Sequence, residues 1–139
     1  MSGAENTVMP TEIKLHQKSR VLEVAFADGS VFHLPCEFLR VYSPSAEVRG
    51  HGPGQEVLQV GKKDVEITGI EPVGTYAVVL QFSDGHDSGI YSWDYLYHLG
   101  QNYDAMWEQY LQRMEEAGAS REAAAGAGAA AFQQRPQSK

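Results

Sequence analysis

Apolar and polar residues alternate with a period of two along several short stretches of this chain, a pattern typical of β-strands that are buried on one face. In the clearest example, Leu22, Val24 and Phe26 alternate with less apolar neighbours. Stretches of this kind predict strands at residues 12–16, 21–26, 30–34, 57–60, 65–70 and 75–82, with 90–91 continuing the last hairpin. Polar or glycine-containing turns separate them, at 18–20, 61–64 and 71–74 among others.

Two of these stretches read as copies of one another. Each consists of a strand, an Asp-Gly turn, a second strand and a helical turn with an acidic residue, an aromatic residue and leucine, and the turns are Asp28-Gly29 and Asp84-Gly85. Asp-Gly between alternating strands is a strong hairpin signal, because glycine accepts a positive φ without steric cost. Only the second copy follows the turn with a histidine, His86. The repeat predicts how the fold is built, and the difference points to His86 as a candidate site residue.

The long helix is predicted from a 3.6-residue apolar period over residues 102–117, with Gly118 as its C-terminal stop. Its stripe consists of Tyr103, Met106, Trp107, Tyr110, Leu111 and Met114. We expect this stripe to pack on the sheet, with a partner-docking face as the alternative. Short helices are predicted at 35–41 and after the N-cap Ser92, the latter ending at Gly100. The predicted fold is α+β: two β-hairpin-plus-short-helix units around a mixed or antiparallel sheet, with one C-terminal amphipathic helix.

Composition divides the chain into three parts. Residues 1–10 are polar and predict a flexible leader, residues 11–118 form the predicted domain, and residues 119–139 are rich in Ala, Gly and Gln and predict a disordered tail. Within the domain, the stretch from Ser43 to Gln55 contains three glycines and two prolines, so it cannot form a long helix or strand. A loop of this kind in a small domain is either functional or mobile.

Charge and cysteine content exclude several classes of function. The net charge of −7 argues against sequence-independent nucleic-acid binding, which needs a positive face. The single cysteine, Cys36, excludes an intrachain disulfide and a four-cysteine zinc site. No run approaches the roughly 18 apolar residues of a membrane helix, and the N-terminal residues contain no apolar leader. We therefore predict a cytoplasmic location and no contact with membranes.

Catalytic motifs are not visible in the sequence. The five histidines show neither H-E-x-x-H nor H-x-D spacing, no G-x-S-x-G surrounds a serine, and the glycine-rich run at 50–54 lacks the Lys-Ser/Thr of a phosphate loop. We therefore expect the protein not to be an enzyme. Cys36 is either a core residue, which we favour, or a reactive thiol at a helix start. The turn with Asp84 and His86 either binds a metal or is held by hydrogen bonds, and the second reading is favoured.

Arginines at two positions have acidic neighbours in sequence. Arg40 follows Glu37, and Arg49 follows Glu47. We expect local ion pairs at both positions in preference to ligand contacts.

Several motifs together resemble a known family. They are Leu39-Arg40, the run from Ser43 to Gln55, Gly61-Lys62, the run from Ile70 to Ala77, Asp84-Gly85-His86, and the run from Ser88 to Trp93. The chain resembles the N-terminal domain of gamma-butyrobetaine hydroxylase and trimethyllysine hydroxylase, and more closely the stand-alone bacterial proteins built from that domain alone. The catalytic iron and 2-oxoglutarate residues of the hydroxylases belong to a separate domain, so the resemblance implies no hydroxylase activity. A similar domain attached to Mrp-type P-loop ATPases implies an accessory role near metal or iron–sulfur cluster assembly.

The resemblance also implies where a metal would bind. In the hydroxylases, three cysteines in a Leu-Arg-x-x-Cys-Pro-Cys-x-x-Cys run and one histidine hold a structural zinc. These positions fall on Ser43, Ser45, Val48 and His86. Serine is a poor zinc ligand and valine is none, so the zinc is not expected here. His86 is then expected to serve another purpose, such as a hydrogen bond to the Ser43 segment.

Two functional hypotheses follow from the sequence. The first is a non-catalytic binding or accessory module with an unknown protein partner, whose binding loop contains Ser43, Ser45, Glu47, Arg49, His51 and Gln55. The alternative is a metal-binding protein that holds iron or zinc through His86, His51 and Asp84.

Overall fold

The computed structural model describes residues 8–49 and 57–122, without the side chains of residues 46 and 47. Within these ranges the chain forms an α+β fold, as predicted. The elements are β1 (Pro10–His16), β2 (Val21–Phe26), β3 (Val31–Pro35), α1 (Cys36–Val41), α2 (Ala46–Arg49), β4 (Ile67–Val73), β5 (Ala77–Phe82), β6 (Ile90–Ser92), α3 (Trp93–Gln101) and α4 (Tyr103–Ala117). Residues 1–7 of the predicted leader and residues 123–139 of the predicted tail lie outside the described residues, whereas Pro10, which had been assigned to the leader, begins β1.

The strands are divided between two antiparallel sheets, ordered β1-β2-β3 and β4-β5-β6. Each sheet is followed by a helix, α1 after the first and α3 after the second. Both opening strands have a register shift near their start, between Pro10 and Glu12 in β1 and between Ile67 and Gly69 in β4. The structural repeat is therefore three strands and a helix, one strand longer than the repeat visible in the sequence.

The two Asp-Gly turns have the same geometry, which confirms both predicted hairpins. Gly29 and Gly85 have φ values of +92° and +90°. In each turn the aspartate Oδ1 accepts a hydrogen bond from the backbone N–H two residues later, at 2.9 Å from Ser30 and 3.2 Å from His86. The copies differ in the side chain at this last position, where the first unit has a serine and the second a histidine.

The core confirms the alternating pattern of the central strands. In β2, Leu22 and Val24 are fully buried and Phe26 is nearly so. Leu80 and Phe82 of β5 hold the equivalent positions. Burying one large apolar side chain contributes about 1.5–3 kcal/mol. Cys36 belongs to the same core, and burial raises the pKa of its thiol, in agreement with the core interpretation.

One predicted strand and one predicted turn were wrong. Residues 57–60 form no strand, whereas β4 runs through the predicted turn at 71–74 as far as Val73. Pro72 suggested a turn, but it pairs with Val78 of β5. β4 is an edge strand. A proline is tolerated there because no further strand needs its missing N–H as a hydrogen-bond donor.

Helix α3 continues through Gly100, which had been predicted to end it. A Cβ at Gly100 would lie 2.3 Å from Cγ of Phe32, so the aromatic ring occupies the space that a side chain would need. The glycine therefore allows helix and sheet to approach closely and does not act as a helix stop.

Side chains of the apolar stripe of α4, which was expected to pack on the sheet, contact helix α1. The rings of Tyr103 and Trp107 lie 4.8 Å and 6.3 Å from the Phe38 ring, measured between centroids. Tyr110 and Met114 are buried and share a cluster with Val41. The helix ends as predicted, with Gly118 in the left-handed conformation. No helix in the described ranges is long and apolar enough to cross a membrane.

The residues that follow α4 are fixed to the domain. The Glu37 carboxylate, which is 6% exposed, accepts two hydrogen bonds of 2.8 Å from the Arg121 guanidinium and one of 2.7 Å from the Tyr110 hydroxyl. Backbone N–H groups of Gly61 and Lys63 donate to carbonyls of residues 120 and 121. Composition had placed residues 119–122 in a disordered tail, but these contacts hold them.

Candidate functional site

His86 lies at the centre of a buried polar group. Its Nε2 is 2.9 Å from Oγ of Ser43 and 3.3 Å from Oγ of Ser45. The exposed fractions of Ser43, Ser45 and His86 are 1%, 6% and 9%. Buried polar side chains are stable only when hydrogen-bonded, and these three satisfy one another. We call them the His86 cluster. The predicted hydrogen bond between His86 and the Ser43 segment is thereby present in the structure.

Residues of the second hairpin shape the space around the cluster. A Cβ at Gly89 would lie 2.3 Å from Ser43 Oγ and 3.2 Å from Cδ of Pro44, so only glycine fits without displacing the serine. The Tyr91 hydroxyl donates a 2.5 Å hydrogen bond to the Leu39 carbonyl near the end of α1. Burial raises the pKa of Tyr91, so this hydroxyl stays protonated and keeps donating. This hydrogen bond therefore fixes the end of α1, where the chain leads into the Ser43 segment.

An ion-pair network on the same turn centres on Asp84. Its Oδ2 accepts hydrogen bonds from Arg40 Nε at 2.9 Å and Lys62 Nζ at 2.6 Å. Burial raises the pKa of Asp84, but hydrogen bonds from Lys62, the His86 N–H and Arg40 outweigh it and lower the pKa to about 2. Arg40 also donates to Gln59 Oε1 at 2.9 Å, which holds residues 57–60 beside the turn. Asp84 is therefore an ionised anchor for two cations.

The expected local ion pair between Arg40 and Glu37 is not formed. Residues three apart on a helix can pair, but here each has a stronger distant partner. Arg40 pairs with Asp84, and Glu37 pairs with Arg121. Tertiary packing thus directs the two side chains to different neighbours.

The residues proposed as metal ligands do not converge in the described part of the chain. No group of three or more His, Cys, Asp and Glu side chains that could hold an ion occurs there. Around His86 the available donors are two serine hydroxyls, and Val48, which is buried, offers none. This donor set does not fit a four-ligand zinc site. His51 lies outside the described residues, so the iron or zinc hypothesis remains a prediction.

A cavity of about 380 Å³ has Ser43 in its lining. The end of α1, the short helix α2, Val57 and one face each of α3 and α4 form its walls. Arg49, which had been assigned to the binding loop, is exposed and lines this cavity. Ser43 therefore belongs both to the His86 cluster and to the lining of the cavity.

The predicted binding loop is described only in part. Ser43 and Ser45 belong to the His86 cluster, and Arg49 lines the cavity. The side chain of Glu47, together with His51 and Gln55, lies outside the described residues. Sequence reasoning missed the cavity residues His98 and Arg113, because each occupies an ordinary position on a helix and no local motif joins them.

The geometry and the comparisons define the class of protein. The model of the gamma-butyrobetaine hydroxylase-like N-terminal domain family matches residues 13–97, and the chain belongs to that family. The match covers both hairpin units and the whole His86 cluster. None of the curated proteins gives a significant match.

Three solved structures match the chain, which covers more than nine tenths of each of them. A structure determined in solution by NMR is 47% identical, with a TM-score of 0.75, over 100% of this chain and 98% of that one. A second NMR structure is 48% identical, with a TM-score of 0.73, over 84% and 91% of the two chains. A crystal structure from Acidithiobacillus ferrooxidans ATCC 23270, a protein of unknown function in the DUF971 family, is 42% identical. Its TM-score is 0.56, over 66% of this chain and 92% of that one.

The His86 cluster can be compared with the zinc positions that the family resemblance implies. By resemblance, the zinc positions of the hydroxylase domain correspond to Ser43, Ser45, Val48 and His86. Three of these four positions meet in this structure, joined by hydrogen bonds between side chains. Hydrogen bonds thus connect the second hairpin to the Ser43 segment at positions that the resemblance assigns to the zinc ligands of the hydroxylases.

Proposed function

We propose that this protein is a non-catalytic binding module, and that the segment from Ser43 to Gln55 binds its protein partner. The observation that carries the proposal is the His86 cluster, which fixes the start of this segment to the second hairpin through two buried hydrogen bonds. Arg49, four residues after Ser45, is exposed. A connecting segment that a rigid scaffold positions is a common form of recognition surface.

The cluster supports a structural role and not nucleophilic catalysis. A serine 2.9 Å from a histidine resembles a nucleophile–base pair. However, Ser43 is 1% exposed, and a nucleophile must reach the substrate carbonyl. The Ser43–His86 pair therefore acts as an anchor in this proposal.

The test compares two double variants as baits for partner capture. The loop variant combines Arg49→Gln and His51→Ala, and the matched control combines Lys18→Gln and His33→Ala. Like the loop variant, the control removes one cationic side chain and one histidine, but from the first unit. There Lys18 is exposed and the His33 side chain is 61% exposed. We expect the wild type and the control to retain the same partner and the loop variant to lose it, with equal melting temperatures. Retention by all three proteins would disprove the proposal, and loss of folding in the loop variant would make the segment structural.

A further inference from the structure

Residues 57–63, which we call the strap, form neither a helix nor a strand, yet hydrogen bonds hold them near both ends. At the start, the Val57 N–H donates to the Val48 carbonyl at 2.8 Å, which attaches the strap to the Ser43 segment. Near the end, two backbone N–H groups of the strap donate to carbonyls just after α4, at 2.9 Å and 2.8 Å. The strap therefore connects the Ser43 segment with the residues that follow α4.

Side chains fix the middle of the strap to the second hairpin. Gln59 Oε1 accepts a 2.9 Å hydrogen bond from Arg40, and Lys62 Nζ donates one of 2.6 Å to Asp84. Arg40 and Asp84 are themselves paired at 2.9 Å. The strap is thus attached to three separate parts of the molecule: the Ser43 segment, the Asp84 turn and the chain after α4.

One side chain holds the residues that follow α4. The Arg121 guanidinium donates two 2.8 Å hydrogen bonds to the Glu37 carboxylate and lies 5.2 Å from the centre of the Trp107 ring. A paired arginine–carboxylate contact is stronger and more directional than a hydrogen bond between neutral groups. The Glu37 side chain is 6% exposed and that of Arg121 is 35% exposed, so the contact joins the interior to the surface. We call this ion pair the latch.

We propose that the latch controls the strap and, through the strap, the Ser43 segment. While Arg121 holds Glu37, the chain after α4 keeps the strap in place, and the strap fixes Val48. When the latch opens, the strap leaves the chain after α4 and releases Val48. The consequence for partner binding rests on the proposed function, whereas the coupling itself does not depend on it.

The strap has the composition of a segment that opens locally. Val57 and Val60 are 50% and 48% exposed. Leu58 is partly buried and packs on the cluster that contains Met114, as Ala119 also does. Segments with few buried apolar contacts and many exposed hydrogen bonds open at a lower free energy than the core. The strap and the residues after α4 share both hydrogen bonds and this apolar cluster, so they open together.

The bond between Val57 and Val48 carries the opening to the proposed binding surface. Val48 belongs to α2, and the next residue is Arg49, which is exposed and assigned to partner binding. Loss of this hydrogen bond leaves α2 attached mainly through the His86 cluster at its N-terminal side. A binding surface that is less fixed loses more conformational freedom when a partner binds. Opening of the latch is therefore expected to weaken partner binding.

Hydrogen exchange of backbone amides in the purified full chain, followed by NMR, tests the coupling. The reporters are the N–H groups of Gly61 and Lys63 beside the latch and of Val57 at the other end of the strap. Arg121→Gln removes the charge and the paired donors, so we expect exchange at all three amides to accelerate by the same factor, at least about tenfold. The control, Lys14→Gln, removes an exposed lysine that pairs with a glutamate on the same strand and should leave the three rates unchanged.

The pattern among the three amides decides whether the coupling exists. Acceleration at Gly61 and Lys63 without Val57 would overturn the proposal, because the opening would then stop before the Ser43 segment. In the wild type, the three amides should also exchange faster than those in the middle of β2. Equal rates would mean that the strap opens only when the whole chain unfolds, which would likewise overturn the proposal. If Arg121→Gln does not fold, Arg121→Lys, which keeps the charge but not the paired donors, takes its place.

Partner capture separates the coupling from its consequence. As baits at equal concentration, wild type and Lys14→Gln should retain the same amount of partner, and Arg121→Gln should retain less. Equal retention by Arg121→Gln, together with faster exchange at Val57, would overturn the control of binding. If the wild type captures no partner, the proposed function fails, while the exchange rates still decide whether the latch controls the strap.

Discussion

Removal of the His86 ring tests whether the His86 cluster holds the fold together. His86→Ala withdraws the partner of two serine hydroxyls that are almost inaccessible to water. The substitution therefore leaves polar groups unsatisfied in the interior.

The magnitude follows from the number of groups affected. Each buried hydroxyl that loses its partner costs about 1–3 kcal/mol. Ser43 keeps a weak contact with the Ser45 N–H at 3.4 Å, so its cost falls near the lower end. Loss of the ring beside Phe82, at 6.1 Å between centroids, adds packing energy. We expect His86→Ala to lower the free energy of unfolding by about 2–4 kcal/mol, which lowers Tm by roughly 8–16 °C for a domain of this size.

A double-mutant cycle isolates the hydrogen bond itself. Urea unfolding of the wild type, His86→Ala, Ser43→Ala and the double variant gives the coupling energy of the pair, which we expect to be about 1 kcal/mol. His33→Ala is the matched control, since its side chain is 61% exposed, and it should change stability by less than about 0.5 kcal/mol. A coupling energy near zero, or a control as destabilised as His86→Ala, would refute the reasoning.

Further predictions concern the surroundings of the cluster. Gly89→Ala should destabilise by about 1–3 kcal/mol in urea unfolding, because the new Cβ meets a serine oxygen at 2.3 Å; unchanged stability would mean that the hairpin adjusts freely. The folded state of Asp84 has a depressed pKa of about 2, so its contribution is present above the unfolded pKa near 4 and disappears as the pH falls to 2. After allowance for screening of this partly exposed carboxylate, the wild type should lose about 1–2 kcal/mol more than Asp84→Asn between pH 4 and pH 2, and parallel curves would contradict this. Arg121→Ala strands the buried Glu37 carboxylate and should cost about 2 kcal/mol in thermal unfolding, a value reduced because Arg121 is 35% exposed. Elemental analysis of wild type beside His86→Ala tests the metal hypothesis: about one iron or zinc per chain, lost in the variant, would support it, and far less than one in the wild type would end it.

Local signals in the sequence were sufficient to predict the hairpins and the long helix. The alternation around Leu22 and Leu80, the two Asp-Gly turns and the stop at Gly118 each depend on residues close together in the chain. They specify local conformation through backbone φ values and a period of two or 3.6. The link between His86 and Ser43 came from family resemblance, since no local pattern connects residues 43 positions apart.

Features set by distant neighbours could not be predicted in this way. Residues 57–60 are mostly apolar, as strands often are, yet no strand in the described ranges pairs with them. Gly100 lies inside a helix because Phe32, from a different element, occupies the space that a side chain at position 100 would need. The separation of Glu37 and Arg40 onto different partners depends on where α4 and the second hairpin lie. The cavity likewise depends on the packing of four helices, which brings Arg49 near Tyr95 only in the folded chain.

The attachment of residues 119–122 changes what counts as an independent folding unit. The family match ends at residue 97, yet the Glu37 carboxylate inside that match depends on Tyr110 and Arg121 beyond it. A fragment cut at the end of the match would expose the α1 surface that α4 covers and would remove the Tyr110 and Arg121 partners of the Glu37 carboxylate. The boundaries of the family match therefore underestimate the length of the stable domain. In limited proteolysis, we expect residues 119–122 to resist cleavage together with α4.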